Sequence, residues 1–218
     1  MTKIGLIDYY LAEWHAENYP AWLRRYNSEH GTDFEIAFAY GELEASPRSG
    51  KTTAEWCREF GAAACGSVAE VCEKSDVLMI LAPSNPEKHL AYAKIVLPYG
   101  KPTYIDKTFA PDFATATAIF ALAKACDTPV FSSSALRFAT ELDGIAHAGN
   151  VIVTGGGSDF AEYLIHPLEM AVKLLGAGAL RVRTERQGGQ YLVRAEWTGG
   201  RFAPVVFAPK AEFSAEVE

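Results

Sequence analysis

Strand-like and helix-like segments alternate over residues 1–134, and this alternation restricts the fold more than any other feature of the sequence. The clearest strand is Val77–Ala82, a continuous apolar run of the kind that parallel sheets bury on both faces. Repeated strand–helix units predict an α/β domain with a right-handed, doubly wound parallel sheet. The other predicted strands of this sheet are Lys3–Ile7, Phe34–Tyr40, Thr103–Asp106 and Val130–Ser134.

Helices are predicted between these strands from composition, periodicity and capping residues. Residues 11–29 are helical in composition, and Pro20 is expected to kink or split this helix. Asn85 suits an N-cap, and Pro86 suits the first position of a helix that directly follows the Val77–Ala82 strand.

Residues 135–218 have a different pattern, which predicts a second domain of the α+β class. Apolar residues at helical spacing mark one helix, closed by Gly176. Paired glycines separate three apolar, β-branched runs as in hairpins, so we expect a mainly antiparallel open sheet. These runs are Leu180–Arg186, Gln190–Glu196 and Arg201–Phe207, and one more strand is predicted at Val151–Thr154.

The charge balance and the apolar pattern exclude several classes of protein. The formal net charge of −7 lacks the clustered basic excess of proteins that bind nucleic acids or anionic membranes. No transmembrane segment or signal peptide is predicted, because the longest apolar run is short and Asp8 interrupts the apolar start. The cysteines form no C-x-x-C pair, and we expect reduced thiols in a cytoplasmic protein.

Open parallel sheets bind ligands outside the carboxyl ends of their strands, which singles out the segments after Ile7, Ala82 and Ile105. The first segment lacks the G-x-G-x-x-G phosphate loop of dinucleotide folds, and its Asp8 and Glu13 would repel a pyrophosphate. The acidic residue expected after the second strand to hold a ribose is also missing. This part of the sequence therefore gives little support to a nucleotide site.

The segments after Ala82 and Ile105 carry more informative candidates. At Pro83–Asn85 a helix N-terminus could receive an anion or a nicotinamide edge, or could simply be capped. His89 follows it, and a structural role is the simpler interpretation of a lone histidine. Asp106 and Lys107 end a buried strand, so the lysine could bind or protonate a substrate oxygen, or form a solvated pair with its neighbour.

A third group of candidates follows Gly155–Gly157. Glu162 and His166 are four residues apart, and on a helix they would share a face as an acid–base pair. Pro167 disfavours helical geometry at His166 and could instead start the helix. The spacing matches no strong zinc or iron signature, and no metal site is predicted. Arg137 is expected either to clamp a substrate oxyanion or to form an ion pair between the domains.

Taken in order, these segments resemble the Gfo/Idh/MocA family of NAD(P)-dependent oxidoreductases over residues 75–176. Residues 75–85, with His89, are similar to the family's strand, cofactor-contacting turn and helix histidine. Residues 100–108 are similar to the signature that contains the catalytic lysine, here Lys107. Aspartate and threonine replace its glutamate and proline in this chain.

The resemblance extends to three other places. Residues 155–169 are similar to the family's glycine-rich segment with its histidine, although both aspartates of that segment are glutamates here. Arg137 falls where the family often has an arginine. His15 falls where the family has a histidine after its glycine loop, but the glycines themselves are absent.

The resemblance implies a Rossmann-like first domain, a second domain for substrate and oligomer contacts, and a pocket between them. It implies hydride transfer between NAD or NADP and a sugar- or polyol-like alcohol or ketone. Lys107 would hold and polarise the reacting oxygen, His166 would exchange its proton, and Glu162 would orient or charge-balance one of these two residues. Arg137 would bind the substrate. The implied cofactor contacts are Ile7, Tyr9, Tyr10, Leu11, Ala82, Pro83, Asn85, His89 and Asp106.

Two alternatives stay open. A relative that has lost catalytic dinucleotide binding would act as a binding or interaction module, and the missing glycines and ribose acid favour it. A non-redox lyase or glycosidase would keep NAD as an internal relay. The second domain has 84 residues and looks truncated, so either a partner subunit completes its open sheet in a homo-oligomer or the chain lacks a C-terminal portion.

Overall fold

The computed structural model of this chain describes residues 1–145 and 149–217. The chain divides into two compact units, Met1–Ser132 and Ser133–Glu218. Among the described residues, no helix has both the length and the apolar character that crossing a membrane requires.

Six strands of the described residues form the sheet of the first unit: β1 (Thr2–Asp8), β2 (Phe34–Gly41), β3 (Ala63–Ala64), β4 (Val77–Ile80), β5 (Thr103–Ile105) and β6 (Val130–Phe131). Their order is β3-β2-β1-β4-β5-β6, and every neighbouring pair is parallel. The predicted doubly wound parallel sheet is thereby confirmed. The strand order reverses between β1 and β4, which is the switch point where such sheets bind ligands.

The helices of the first unit are α1 (Trp14–His30), α2 (Thr53–Phe60), α3 (Val68–Lys74), α4 (His89–Val96) and α5 (Phe113–Ala125). They cover both faces of the sheet, because alternate residues of β1 point to opposite sides. Ile4 and Leu6 join a core with α1 and α2, whereas Ile7 joins a second core with α3, α4 and α5. Burial on both faces explains the continuous apolar strands of the sequence.

Gly5 lets α3 approach β1 closely. A Cβ atom at this position would lie 2.3 Å from Ser75 Oγ and 2.5 Å from Val71 Cγ1. The glycine therefore sets the distance between this helix and the sheet, and a side chain here would push them apart.

Helix α1 runs without interruption through the buried Pro20, which corrects the expectation that this proline splits it. A proline removes one backbone hydrogen bond and crowds the turn before it. The helix tolerates this loss because it has 17 residues and is capped at both ends, by the Glu13 side chain and by Gly31 in the left-handed conformation.

Asn85 does not cap a helix with its side chain as predicted. Its amide nitrogen instead donates to Glu87 Oε1 at 3.0 Å. Pro86–Lys88 forms a 3-10 turn, and α4 begins only at His89. The 3-10 turn begins at Pro86, and the Asn85 side chain therefore lies outside the helix that follows.

The second unit packs two helices, α6 (Phe160–Tyr163) and α7 (Ile165–Leu175), with five strands: β7 (Val151–Gly155), β8 (Ala179–Gln187), β9 (Gln190–Trp197), β10 (Phe202–Phe207) and β11 (Ser214–Val217). Their order is β11-β7-β10-β9-β8, and only the β10–β7 pair among them is parallel. The predicted mainly antiparallel sheet is confirmed, with β11 added. Its core lies between the sheet and α7, with Val153, Ala171 and Val205 fully buried.

Candidate functional site

Asp8 ends β1 at the switch point of the sheet and is fully buried. Its Oδ1 accepts hydrogen bonds from the amides of Tyr9, at 2.6 Å, and Ala82, at 3.0 Å. Ala82 holds a left-handed backbone with φ of 56°. The other carboxyl oxygen, Oδ2, is buried without a hydrogen-bond partner among the described residues. Burial, followed by the charge of Glu13, raises the pKa of Asp8 well above its usual range.

Glu13 caps the N-terminus of α1 with both oxygens of its carboxylate. Oε2 accepts from the amide of His15 at 2.8 Å, and Oε1 accepts from the amide of Ala16 at 2.5 Å. Burial raises the pKa of Glu13, and these two amides act in the opposite direction. The first-turn amides that a helix can offer to an anion are thus occupied by a side chain of the chain itself.

Asp106 follows β5 and gathers three groups around its buried carboxylate. Its Oδ2 is bonded to Nδ1 of His15, which lies in α1. Its Oδ1 accepts from the hydroxyl of Tyr104 at 2.8 Å and from the amide of Lys107 at 2.8 Å. A carboxylate on one nitrogen of an imidazole fixes the ring and leaves the other nitrogen for proton transfer. The His15 side chain keeps 16% of its surface exposed.

Tyr19 and Tyr104 extend this group, and sequence reasoning gave neither of them a role. Their ring centroids are 6.5 Å apart, and the Tyr19 ring lies 6.3 Å from that of His15. Burial, followed by the charge of Asp106, raises the pKa of both phenols. Both phenols therefore keep their protons at neutral pH, and the proton of Tyr104 is the one donated to Asp106.

Lys107, the predicted catalytic lysine, is half-buried. Its backbone is tied to Asp106, and the Lys107–Thr108 peptide bond is cis. Its ammonium group forms no hydrogen bond or ion pair with any described residue, so it can meet a ligand oxygen. Its catalytic role remains a prediction.

Most of the predicted cofactor contacts in the β1–α1 segment face the core. Ile7, Tyr10 and Leu11 have buried side chains, so only the backbone of these residues is placed to contact a cofactor, and these contacts stay predictions. Tyr9 is partly exposed, and the Lys88 ammonium lies 4.6 Å from its ring centroid. Its ring is thus already occupied by a cation.

His89 is a fully buried structural residue. Its Nδ1 is 2.9 Å from the carbonyl oxygen of Phe109, and its Nε2 is 2.5 Å from that of Leu81. Both ring nitrogens are therefore used to join the segments after β4 and β5. That this side chain contacts a cofactor stays a prediction, as do the contacts of Ala82, Pro83 and Asn85 beside the strand ends.

Glu42 is an acidic residue after β2 that sequence reasoning missed, because Tyr40 and Gly41 stand where the ribose acid is expected at the end of the predicted strand. Its Oε1 accepts from Lys88 Nζ and its Oε2 from Tyr92 OH, both at 2.5 Å. These hydrogen bonds, with that of Lys88 the largest, lower the pKa of Glu42. Both of its oxygens are engaged inside the protein.

The predicted site residues of the second unit form contacts with other residues of the same unit. His166 Nδ1 is bonded to Ser134 Oγ at 2.5 Å. Glu162 and His166 lie in consecutive helices, α6 and α7, and not on one continuous helix as predicted. Pro167 is tolerated in the first turn of α7, where its missing N–H has no cost.

Arg137 pairs with Glu169 at 3.0 Å between Nη1 and Oε2. Both residues belong to the second unit, so the expected ion pair between domains is instead an ion pair within one. The guanidinium has a carboxylate partner already, and its predicted role in substrate binding remains untested. Within the ranges 1–145 and 149–217, no three His, Cys, Asp or Glu residues are grouped to hold a metal ion.

The residues present do not fit the pyrophosphate of a dinucleotide cofactor. That group would need the first-turn amides of α1, which the Glu13 carboxylate occupies. Asp8 places a second buried carboxyl group beside them. The acid that could hold a ribose, Glu42, is bonded to Lys88 and Tyr92.

Comparison with known proteins gives matches only among solved structures. No protein-family profile matches the sequence. No curated protein matches it either. The chain is similar to an NAD binding oxidoreductase from Klebsiella pneumoniae, with a TM-score of 0.76, 15% identity and coverage of 100% of this chain and 70% of that one.

Two other structures show the same likeness. Myo-inositol dehydrogenase from Lactobacillus casei, solved with NAD(H) and myo-inositol, matches with a TM-score of 0.72, 14% identity and coverage of 100% and 71%. UDP-N-acetylglucosamine 3-dehydrogenase GnnA from Acidithiobacillus ferrooxidans matches with a TM-score of 0.71, 17% identity and coverage of 99% and 73%. The structural neighbours of this chain are dehydrogenases of the Gfo/Idh/MocA type, and the predicted resemblance is confirmed at the level of the fold.

Proposed function

We propose that this chain acts on a sugar- or polyol-like molecule by proton transfer at the carboxyl edge of its parallel sheet, without a resident dinucleotide. The observation that carries the proposal is the Asp106 carboxylate, which fixes the His15 imidazole and the Lys107 backbone together. A positioned imidazole, and the ammonium group of the lysine that follows Asp106, are components of acid–base chemistry at a carbonyl carbon.

The proposed step needs no oxidant. His15 removes a proton from the carbon beside a ligand carbonyl, and the Lys107 ammonium stabilises the negative oxygen of the resulting enolate. The proton then returns to the same carbon or to its neighbour. Asp106 balances the imidazolium that forms, as a carboxylate does for a histidine base.

The ligand class is supported by the donors and acceptors around the site. The His15 imidazole and the Lys107 ammonium are the polar groups offered to a ligand, whereas the Tyr104 hydroxyl already donates to Asp106. Such groups suit a ligand rich in hydroxyl and carbonyl oxygens. Two of the structural neighbours are a myo-inositol dehydrogenase and a UDP-N-acetylglucosamine 3-dehydrogenase.

A proton-exchange assay tests this proposal. The native chain is incubated with ketoses and inosose-type ketones in D2O without nucleotide, and deuterium at the carbon beside the carbonyl is followed by NMR. We expect catalysed incorporation that falls by about 10²-fold or more in His15→Gln. Glu17→Gln, an exposed change in the same helix, should leave the rate unchanged. Absence of exchange with every ketone would contradict the proposal.

A second candidate is a nicotinamide-dependent oxidoreductase acting on a sugar- or polyol-like alcohol or ketone. The observation that favours it is Lys107 at the end of β5, in a fold shared with NAD-binding dehydrogenases. The resemblance assigns the reacting oxygen to Lys107 and its proton to His166. Glu162 would be a positioning residue and Arg137 a substrate contact.

Titration of the native chain with NADH and NADPH, followed by tryptophan quenching, separates the two candidates. Saturable binding at micromolar cofactor, with nicotinamide reduction by a polyol, would favour the oxidoreductase. In that case Lys107→Ala and His166→Ala should lower turnover far more than cofactor affinity. No binding at millimolar cofactor would exclude it and leave the proton-transfer proposal in place.

A further inference from the structure

We infer that the Glu13 carboxylate is a built-in occupant of the anion position at the N-terminus of α1, so that the native chain excludes dinucleotides and other phosphate ligands from it. This inference goes beyond the proposed function, because it concerns the phosphate position and not the acid–base group. It holds or fails whether or not His15 moves a proton.

The first step of the argument is the geometry of the cap. Glu13 has an extended backbone, with φ of −130° and ψ of 167°, and its side chain folds back over the first turn of α1. Its two oxygens accept from two successive amides, those of His15 and Ala16. A bound phosphate would use the same two donors. A phosphate ligand and the Glu13 side chain therefore compete for the same amide donors.

The second step is the position of α1 in the fold. The helix follows β1 directly, and the β1–α1 turn is where a dinucleotide fold of this strand order receives the pyrophosphate. Glutamate is not among the residues that usually cap helices, because its side chain is longer than those of Ser, Thr, Asp and Asn. Its bidentate use here places a carboxylate at the location that a phosphate would need.

The third step is the charge around this location. Asp8 is fully buried, and its Oδ2 has no hydrogen-bond partner among the described residues. Glu13, only 8% exposed, raises the pKa of Asp8 by its charge. A phosphate that displaced Glu13 would leave this buried carboxyl group without its two amide donors. Exclusion is thus steric at the amides, and it adds the cost of removing Glu13 from its hydrogen bonds.

Substitutions that vacate the position provide the test. We compare the native chain with Glu13→Gln and with the double variant Asp8→Asn, Glu13→Gly, using ADP-ribose and inorganic pyrophosphate as probes in calorimetry. Glu17→Gln is the matched control, since it removes one negative charge from the first turn of α1 without touching the cap. Folding of each variant is checked by circular dichroism.

We expect no saturable heat with the native chain or the control at millimolar probe. The double variant should bind ADP-ribose at least about tenfold more tightly than the native chain, a difference of about 1.4 kcal/mol. Backbone amide signals of His15 and Ala16 should shift on addition of pyrophosphate to this variant and stay unchanged in the native chain.

Two results would overturn the inference. One is micromolar binding of ADP-ribose by the native chain with shifts at the His15 and Ala16 amides, which would show that the position is open. The other is a folded double variant that gains no affinity. If the double variant does not fold, the test rests on the native chain and on Glu13→Gln. Shifts of the His15 and Ala16 amides in the native chain, together with an affinity for ADP-ribose that Glu13→Gln leaves unchanged, would then contradict exclusion.

Discussion

The imidazole of His15 is bonded through Nδ1 to Oδ2 of Asp106, although the two residues are 91 positions apart in the chain. One comes from the first turn of α1 and the other from the end of β5, so only the folded sheet brings them together. Asp106 is inaccessible to solvent, whereas part of the His15 ring is exposed. This pair gives the edge of the sheet a histidine with a fixed orientation.

Asp106→Asn should disable this orientation. An amide offers one acceptor oxygen in place of two, so it cannot serve His15, Tyr104 and Lys107 as the carboxylate does. We expect the proton-exchange rate to fall by about 10²-fold or more. Nitrogen NMR of the imidazole should show a changed tautomer, a readout that loss of stability alone does not produce. Asp33→Asn, at an exposed position, is the control and should change neither quantity.

The stability of the chain should depend on the charge of Asp8. Its pKa is raised in the folded state, so the folded chain holds a proton that the unfolded chain releases above about pH 4. The free energy of unfolding should therefore fall as the pH rises through the folded-state pKa. The contribution approaches about 1.4 kcal/mol per pH unit for one such group. Glu13 acts in the same direction.

Urea unfolding of the native chain and Asp8→Asn, measured from acidic to alkaline pH, checks this dependence. The difference between the two free energies should change in favour of the variant as the pH rises, because asparagine carries no charge to bury. A difference that stays constant with pH would show that Asp8 titrates as it does in the unfolded chain.

Gly5→Ala should destabilise the first unit by about 1–3 kcal/mol. The new methyl group would overlap Ser75 and Val71, and α3 would have to move away from β1. Gly66→Ala is a suitable comparison, because the nearest atom to its new Cβ is Glu70 Oε2 at 3.6 Å. Denaturant unfolding of both variants is the measurement, and equal stabilities would mean that the helix can shift at no cost.

Ser134→Ala should lower the stability of the second unit by about 1 kcal/mol. Its buried hydroxyl bonds to His166 and also receives the amide of Leu136 at 3.3 Å. Ser132→Ala, two residues earlier and only half-buried, should have a smaller effect. Thermal unfolding compares the two, and a larger loss at Ser132 would argue against a structural link between Ser134 and His166.

The sheet could be predicted where its strands are long and apolar. Val77–Ala82 gave a clear signal because both of its faces are buried. Two strands were missed for physical reasons: β3 has only two residues, and β11 consists of Ser214–Val217 with little apolar character. A strand of this kind forms because its neighbour offers backbone hydrogen bonds, and local sequence does not contain that information.

The candidate site was predictable only in part. Asp106 and Lys107 were found because they end a strand at the carboxyl edge, which topology alone makes informative. The repulsion of a pyrophosphate by Asp8 and Glu13 was expected, but the return of Glu13 onto the helix was not, since it depends on a side-chain conformation. The bonds of Glu42 to Lys88 and Tyr92 depend on tertiary packing and leave no periodic signal.

The amide of Ala82 lies outside regular secondary structure, yet it donates to the buried carboxyl group of Asp8. Exchange of its hydrogen with solvent requires β1 and the turn after β4 to separate, and this exposes the carboxyl group at the same time. Ala82 should therefore exchange as slowly as amides within the central strands, and its exchange rate would report directly on how often the switch point of the sheet opens.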